Sequence, residues 1–192
     1  GVEEGLKRVA GMYIVRNKKG TFFLADTTVN VNPDTEGLLN IIELTHRAVK
    51  FFGFEPKMAM LSYSNFGSAK GDVPTKTAKA VQIAKQKWPN MIIDGDIQAN
   101  LAMNKKLLAK TYPFSDLAGH QVNTLIFPNL SSGNIAYKLL MEIGASEAIG
   151  PILMGMQKPV HVLQTGSSVR EIYNMAAIAV VDAQASANKE NK

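Results

Sequence analysis

The strongest constraint on this chain is a rhythm. Short apolar runs with strand character, "KMAMLS", "MIID", "NTLIF" and "PVHVL", are separated by stretches with helical spacing. Strands joined by crossover helices run parallel, and the helices cover both faces of the sheet they connect. At the start, "AGMYIVRNKKGTFFLAD" is two β-rich runs around Asn17-Lys18-Lys19-Gly20, a hairpin. The expected fold is therefore α/β, with a mixed but mostly parallel sheet.

The helices can be placed by their apolar faces. From Asp34 to Phe52, Leu38, Ile42, Thr45, Val49 and Phe52 recur at spacings of four and three, and Gly53 stands where a left-handed cap belongs. A second helix is predicted from Thr75 to Trp88 with Ala78, Val81, Ala84 and Trp88 inward. "DIQANLAMNKKLLAK" reads as helical, and Ser131–Ile143 is a helix closed by Gly144. After the turn Thr165-Gly166-Ser167-Ser168 comes Val169–Ala183, a helix apolar nearly all round, and then a polar tail, "SANKENK", expected to fray.

Composition narrows the classes. The 192 residues, 46% apolar and 19% charged, make one large domain or two small ones with a real core. The absence of cysteine excludes a disulfide framework, a thiolate zinc site and a cysteine nucleophile. "GVEEGLKRVAGM" lacks the head and apolar run of a signal peptide, and no apolar stretch nears the ~20 residues that span a bilayer. A soluble, cytoplasmic chain with no membrane partner is expected. Between Lys70 and Lys110, eight lysines face three aspartates, which accounts for the whole net charge of +5. Such a segment is either a set of solvated helix faces or an attractor for an anion such as a nucleotide phosphate. Nucleic acid fits poorly, because Trp88 is the segment's one aromatic and it contains no arginine.

In open α/β sheets, ligands bind beyond the carboxyl ends of the strands. Ser62–Asp72, Asp94–Gln98 and Phe127–Asn134 fall there and are rich in glycine, serine, asparagine and aspartate. "FGSAKGD" lacks the spacing of a phosphate-binding P-loop, and there is no G-x-G-x-x-G or G-x-S-x-G run. Asp94 and Asp96 flank Gly95, and two carboxylates so placed can hold magnesium or act as acid and base. With no third acid nearby, hydrogen bonding to loop N–H groups is the better reading. His46, His120 and His161 share no ligand spacing and are read as structural or surface residues, with His161 mid-strand. Ser168 and Glu171 form a capping box at a helix N-terminus, a place that can also receive an anion.

As a set, the loops carry more. "MLSYSNFGSAKG", "IIDGDIQANLA", "LIFPNLSSGNIAYKLLMEIGASEAIGPILMGMQKPVHVL" and "GSSVREIYNMAAIAVVDAQ" resemble the phosphate acetyltransferase (phosphotransacetylase) family, in the family's order. The last is most similar to the branch fused to the C-terminus of bacterial NADP-dependent malic enzymes. The resemblance implies a three-layer α/β/α lobe of the isocitrate/isopropylmalate-dehydrogenase-like class, paired in the family with a similar N-terminal lobe across a coenzyme A cleft. Residues 1–163 correspond to the second lobe. Residues 164–192 correspond to the C-terminal helix that packs on the first lobe, so the chain is expected to be a fragment. Implied partners are a two-fold dimer or higher homo-oligomer and a malic enzyme catalytic domain in the parent chain, which would hold the NADP and divalent metal.

Active relatives carry Ser-Arg-Gly in the final turn, where Gln164-Thr165-Gly166 stands here, and their aspartate base corresponds to Glu171. Their "DGELQ" loop is "DGDIQ" here, and the aspartate that follows it corresponds to Asn100. Threonine cannot replace a guanidinium as a bidentate phosphate clamp, and losing such a group typically costs about 2.7–4 kcal/mol of transition-state stabilisation. The resemblance therefore implies no catalytic residues and no metal ligands. It implies a regulatory domain with acetyl-CoA or CoA as a non-covalent effector, held by Ser62, Ser64, Ser68, Lys70, Asn134, Gly166, Ser167 and Ser168. The alternatives are a fragment of an active phosphate acetyltransferase and a purely structural dimerisation module.

Overall fold

The computed structural model describes residues 1–144 and 146–190. Its centre is a six-stranded sheet. The hairpin forms as the sequence indicates: β1 (Ala10–Asn17) pairs antiparallel with β2 (Gly20–Ala25). Then come α1 (Thr35–Phe51), β3 (Lys57–Leu61), α2 (Asp72–Lys87), β4 (Ile92–Ile97), α3 (Ala99–Ala102) and α4 (Lys105–Thr111). β5 (Thr124–Ile126), α5 (Leu130–Ile143), β6 (Glu147–Met154) and α6 (Val169–Glu190) complete the order. The strands lie in the order β4-β3-β5-β2-β1-β6. β2, β3, β4 and β5 are mutually parallel, and β1 runs against both its neighbours.

Alternation along the strands builds two cores. Phe23 and Ala25 of β2, with Met58 and Met60 of β3, face α1, α2 and α6. Phe22, Leu24, Ala59 and Leu61 face α3, α4 and α5. The sheet is thus covered on both faces, the arrangement the rhythm of the sequence calls for.

Helix α1 buries Leu38, Ile42, Thr45 and Val49 as its spacing requires. It ends in a Schellman turn: Gly53, at φ +80°, donates to the Lys50 carbonyl and Phe54 donates to the Val49 carbonyl. Asp34 caps the other end by accepting from Gly37 N–H at 2.8 Å.

Four expectations are corrected. Helix α2 begins at Asp72 rather than Thr75, since Pro74 is tolerated in a first turn, and its buried face is Pro74, Thr77, Ala80, Val81 and Ala84, with Ala78 off the seam. "DIQANLAMNKKLLAK" is the end of a strand and two short helices. Asn104 accepts from Leu107 N–H and so starts α4 afresh. The last strand is Glu147–Met154, not "PVHVL". Its Gly150-Pro151 reads as a loop, yet it is an edge strand whose ladder to β1 shifts register there, so the missing proline N–H costs no pairing. Residues 159–163 lie outside the ladder, with Val160, Val162 and Leu163 exposed. Finally, α6 runs through Glu190, so most of the polar tail is helical; Asn191 and Lys192 lie outside the described residues.

Helix α6 rests on the sheet through Met175 and Ile178, while Val169, Ile172, Tyr173, Val180 and Val181 are exposed. Its apolar character is therefore only half used within this chain. No helix among the described residues is long and apolar enough to cross a membrane.

Candidate functional site

The carboxyl edge of the parallel strands is built from backbone-satisfying polar side chains. In the loop after β3, Ser62 Oγ accepts from Ser64 N–H, Ser64 Oγ from Ala69 N–H and Ser68 Oγ from Asn65 N–H. The loop is pinned to β4: Gly67 N–H donates to Asp96 Oδ1, Gln98 N–H to Asn65 Oδ1, and Gln98 Nε2 to the Tyr63 carbonyl. Ser64 is fully buried, while Lys70 stands exposed at the rim.

Asp94 and Asp96 lie within β4 rather than beyond it. The Asp94 carboxylate accepts from Lys85 Nζ at 2.7 Å, Ser115 Oγ at 2.8 Å and the N–H groups of Asp116 and Gly95 at 3.0 Å. A carboxylate so fully engaged is a structural anchor. Among the described residues, no group of three or more His, Asp or Glu is placed to hold a metal ion. Asn134 also ties the fold together, donating through Nδ2 to the Thr27 carbonyl at 3.3 Å. Its neighbour Gly133 lies so close to the Asp26 carbonyl that any Cβ would overlap it.

The turn at 164–168 has different surroundings. Ser167 N–H donates to the Gln164 carbonyl, and Gly166, at φ +90°, supplies the left-handed residue. Gln164, Ser167 and Glu171 then border a cavity of about 270 Å³, lined also by Tyr13 from β1, by Tyr137, Lys138 and Glu142 from α5, and by Gly150 from β6. The two tyrosine rings stack at 4.1 Å, and Gln164 Nε2 donates to Tyr13 Oη at 3.3 Å. Gly150 is required here, because a Cβ would stand 2.8 Å from the Tyr13 ring. Lys138 Nζ lies 5.1 Å from the Tyr137 ring centroid.

Burial, then the hydrogen bond with Tyr137, raises the pKa of the Tyr13 phenol. Burial also acts to raise Tyr137, but its bonds with Tyr13, Lys138 and Gln164 prevail and hold it below the ordinary phenol value. Glu171 is held below the usual carboxylate range by the N–H and hydroxyl of Ser168. The cavity can therefore present hydroxyl, amide and ammonium donors to a polar or anionic group. Of its two carboxylates, Glu142 and Glu171, the latter is a weakened base already occupied by Ser168.

The predicted ligand residues thus fall into two groups. Ser62, Ser64, Ser68 and Lys70 share one loop, and Asn134 sits at the start of α5. Of the turn residues, Ser167 borders the cavity, while Gly166 and Ser168 shape its rim and do not line it. None of the first group lines that cavity. No sequence motif marks Tyr13, Tyr137, Lys138 or Gly150 as site residues. Tyr137 and Lys138 stand inside "SSGNIAYK", but nothing in sequence spacing brings Tyr13, 124 positions earlier, against them.

A family profile described as phosphate acetyl/butaryl transferase matches residues 1–180. The phosphate acetyltransferase of Bacillus subtilis is 38% identical over 181 residues, covering 94% of this chain and 56% of that protein. The NADP-dependent malic enzyme of Haemophilus influenzae is 41% identical over 184 residues, covering 96% of this chain and 24% of that protein. A solved phosphotransacetylase from Streptococcus pyogenes matches with a TM-score of 0.89 and 36% identity, over 95% of this chain and 56% of the other. The chain therefore spans little more than half of the acetyltransferases it matches and about a quarter of the malic enzyme. Its fold, its loops and its sequence over residues 1–180 all carry the same assignment: the chain belongs to the phosphate acetyl/butaryl transferase family.

Proposed function

We propose that this chain is a regulatory and oligomerising domain that binds acetyl-CoA without carrying out acetyl transfer, and that it serves a malic enzyme catalytic part in a longer parent chain. The carrying observation is the turn beside the tyrosine-lined cavity. Gln164 and Thr165 stand where active relatives are expected to have serine and arginine, and the Glu171 carboxylate is closed onto Ser168. The cavity keeps donors suited to a polar ligand, Lys138 among them, but Thr165 offers no guanidinium to clamp the phosphate of an acetyl phosphate during acyl transfer. Similarity to a malic enzyme over 96% of the chain supports the proposed parent. NADP and a divalent metal would belong to that catalytic part. An effector acts there only through a difference in affinity between two states of the assembly.

Calorimetric titration of acetyl-CoA into the parent protein and into this chain tests the reading. Saturable, salt-sensitive binding to the parent is expected, with weaker binding to this chain because half a cleft encloses less of the ligand. Absence of binding to the parent would leave a purely structural dimerisation module. Working acetyltransferase fragments are the second reading, favoured by 38% identity to a phosphate acetyltransferase.

A further inference from the structure

On the opposite face of the sheet from the tyrosine cavity, a second cavity of about 330 Å³ lies between α1, the outer edge of β6 and α6. His161 lines it, from the extended segment that links β6 to α6. Leu153, on the edge strand, donates its N–H to His161 Nδ1 at 3.3 Å. A histidine that accepts at Nδ1 must carry its proton on Nε2, and it does so only when neutral. That Nε2 is buried and has no hydrogen-bond partner among the described residues.

Among the described residues, the charged groups lining the cavity beside His161 are Asp182 on α6, Arg47 on α1 and Glu3 on the N-terminal segment. Arg47 Nη2 is already held by both Glu3 oxygens, at 2.6 and 2.9 Å. Asp182 is thus the carboxylate left to attract a cation on the ring.

We propose that His161 is a proton-operated clasp: neutral, it fastens the segment leading to the 164–168 turn onto β6; protonated, it lets go of Leu153 and turns toward Asp182. Protonation places a hydrogen on Nδ1, so the acceptor for Leu153 N–H disappears. Burial, opposed by Asp182, holds the His161 pKa below the ordinary histidine value. A lowered folded-state pKa means that the clasp is intact above about 6.5 and opens as the pH falls through the folded value. Since the fastened segment runs into Gln164 and Ser167, the clasp would also set the shape of the tyrosine cavity. That last link alone rests on the function proposed above.

Amide hydrogen exchange on the full chain tests the clasp directly. After correction for intrinsic rates, Leu153 protection should fall about tenfold relative to Phe23 as the pH is stepped down from about 7.5 past the folded-state value of His161, the scale of one lost hydrogen bond. His161→Asn keeps a side-chain acceptor that does not titrate, so the same pH step should leave Leu153 unchanged in that variant. Asp182→Asn should move the midpoint to lower pH, since the ring cation loses its carboxylate. A parallel fall in His161→Asn, a flat wild-type profile, or an unmoved midpoint in Asp182→Asn each contradicts the clasp. None of these readouts depends on acetyl-CoA binding.

Discussion

Ser168 and Glu171 close upon one another. The N–H and Oγ of Ser168 both donate to Glu171 Oε2, at 2.6 and 2.8 Å, and Glu171 N–H returns a bond to Ser168 Oγ at 3.3 Å. This is a complete capping box, and it explains why α6 starts where it does. It also engages the turn's own carboxylate at the cavity, leaving Glu142 as the other acid among the lining residues.

Removing the cap should loosen α6 from its first turn. Ser168→Ala is expected to cost about 1 kcal/mol of helix stability, read by amide exchange across residues 169–175. The cap should also depend on pH. Because Glu171 has a depressed folded-state pKa, its contribution is present above the unfolded value of about 4.3 and is lost as the pH falls through the folded one. Unchanged exchange in the variant would mean that α6 is held by Met175 and Ile178 alone.

Lys85 bridges two acids, Asp94 at 2.7 Å and Asp116 at 2.8 Å. Its own burial lowers its pKa, but those two partners outweigh it and raise the value overall. Lys85→Ala strips a charge partner from a carboxylate that is only 5% exposed. A loss of about 1–3 kcal/mol is expected in denaturant titration, since Ser115 and the backbone donors remain. Lys85→Ala paired with Asp94→Asn should recover part of it, because the unpaired charge is then gone.

Gly133 permits the closest approach between α5 and the loop after β2. Gly133→Ala forces a methyl group onto the Asp26 carbonyl, and overpacking of that kind costs about 1–3 kcal/mol. Alanine is the better helix former, so a substitution that raised stability would show that the contact can relax freely.

The parts of the fold that were legible from the sequence are those with a local cause. Leu38 to Val49 declare α1 by their spacing, Gly53 declares its end, and Ser168 with Glu171 declares the start of α6. β6 stayed hidden because Gly150-Pro151 is punctuation in sequence and an edge-strand irregularity in space. "PVHVL" has a strand's composition, but β6 already occupies the sheet edge, so its valines face outward. The site divides the same way. The serine loop and the turn could be picked out as short motifs, but the Tyr13–Tyr137 stack is a contact between β1 and α5 that only the folded sheet creates.

The proposed function is that this domain holds a ligand and performs no transfer. Its most direct test mixes acetyl phosphate and coenzyme A with the purified chain and follows thioester formation by its absorbance. No thioester should form above the protein-free control, and Thr165→Arg alone should not change that, because a guanidinium restored to the turn leaves Glu171 still closed on Ser168. Turnover by the unaltered chain, clearly above the control, would contradict the claim and make this an acetyltransferase.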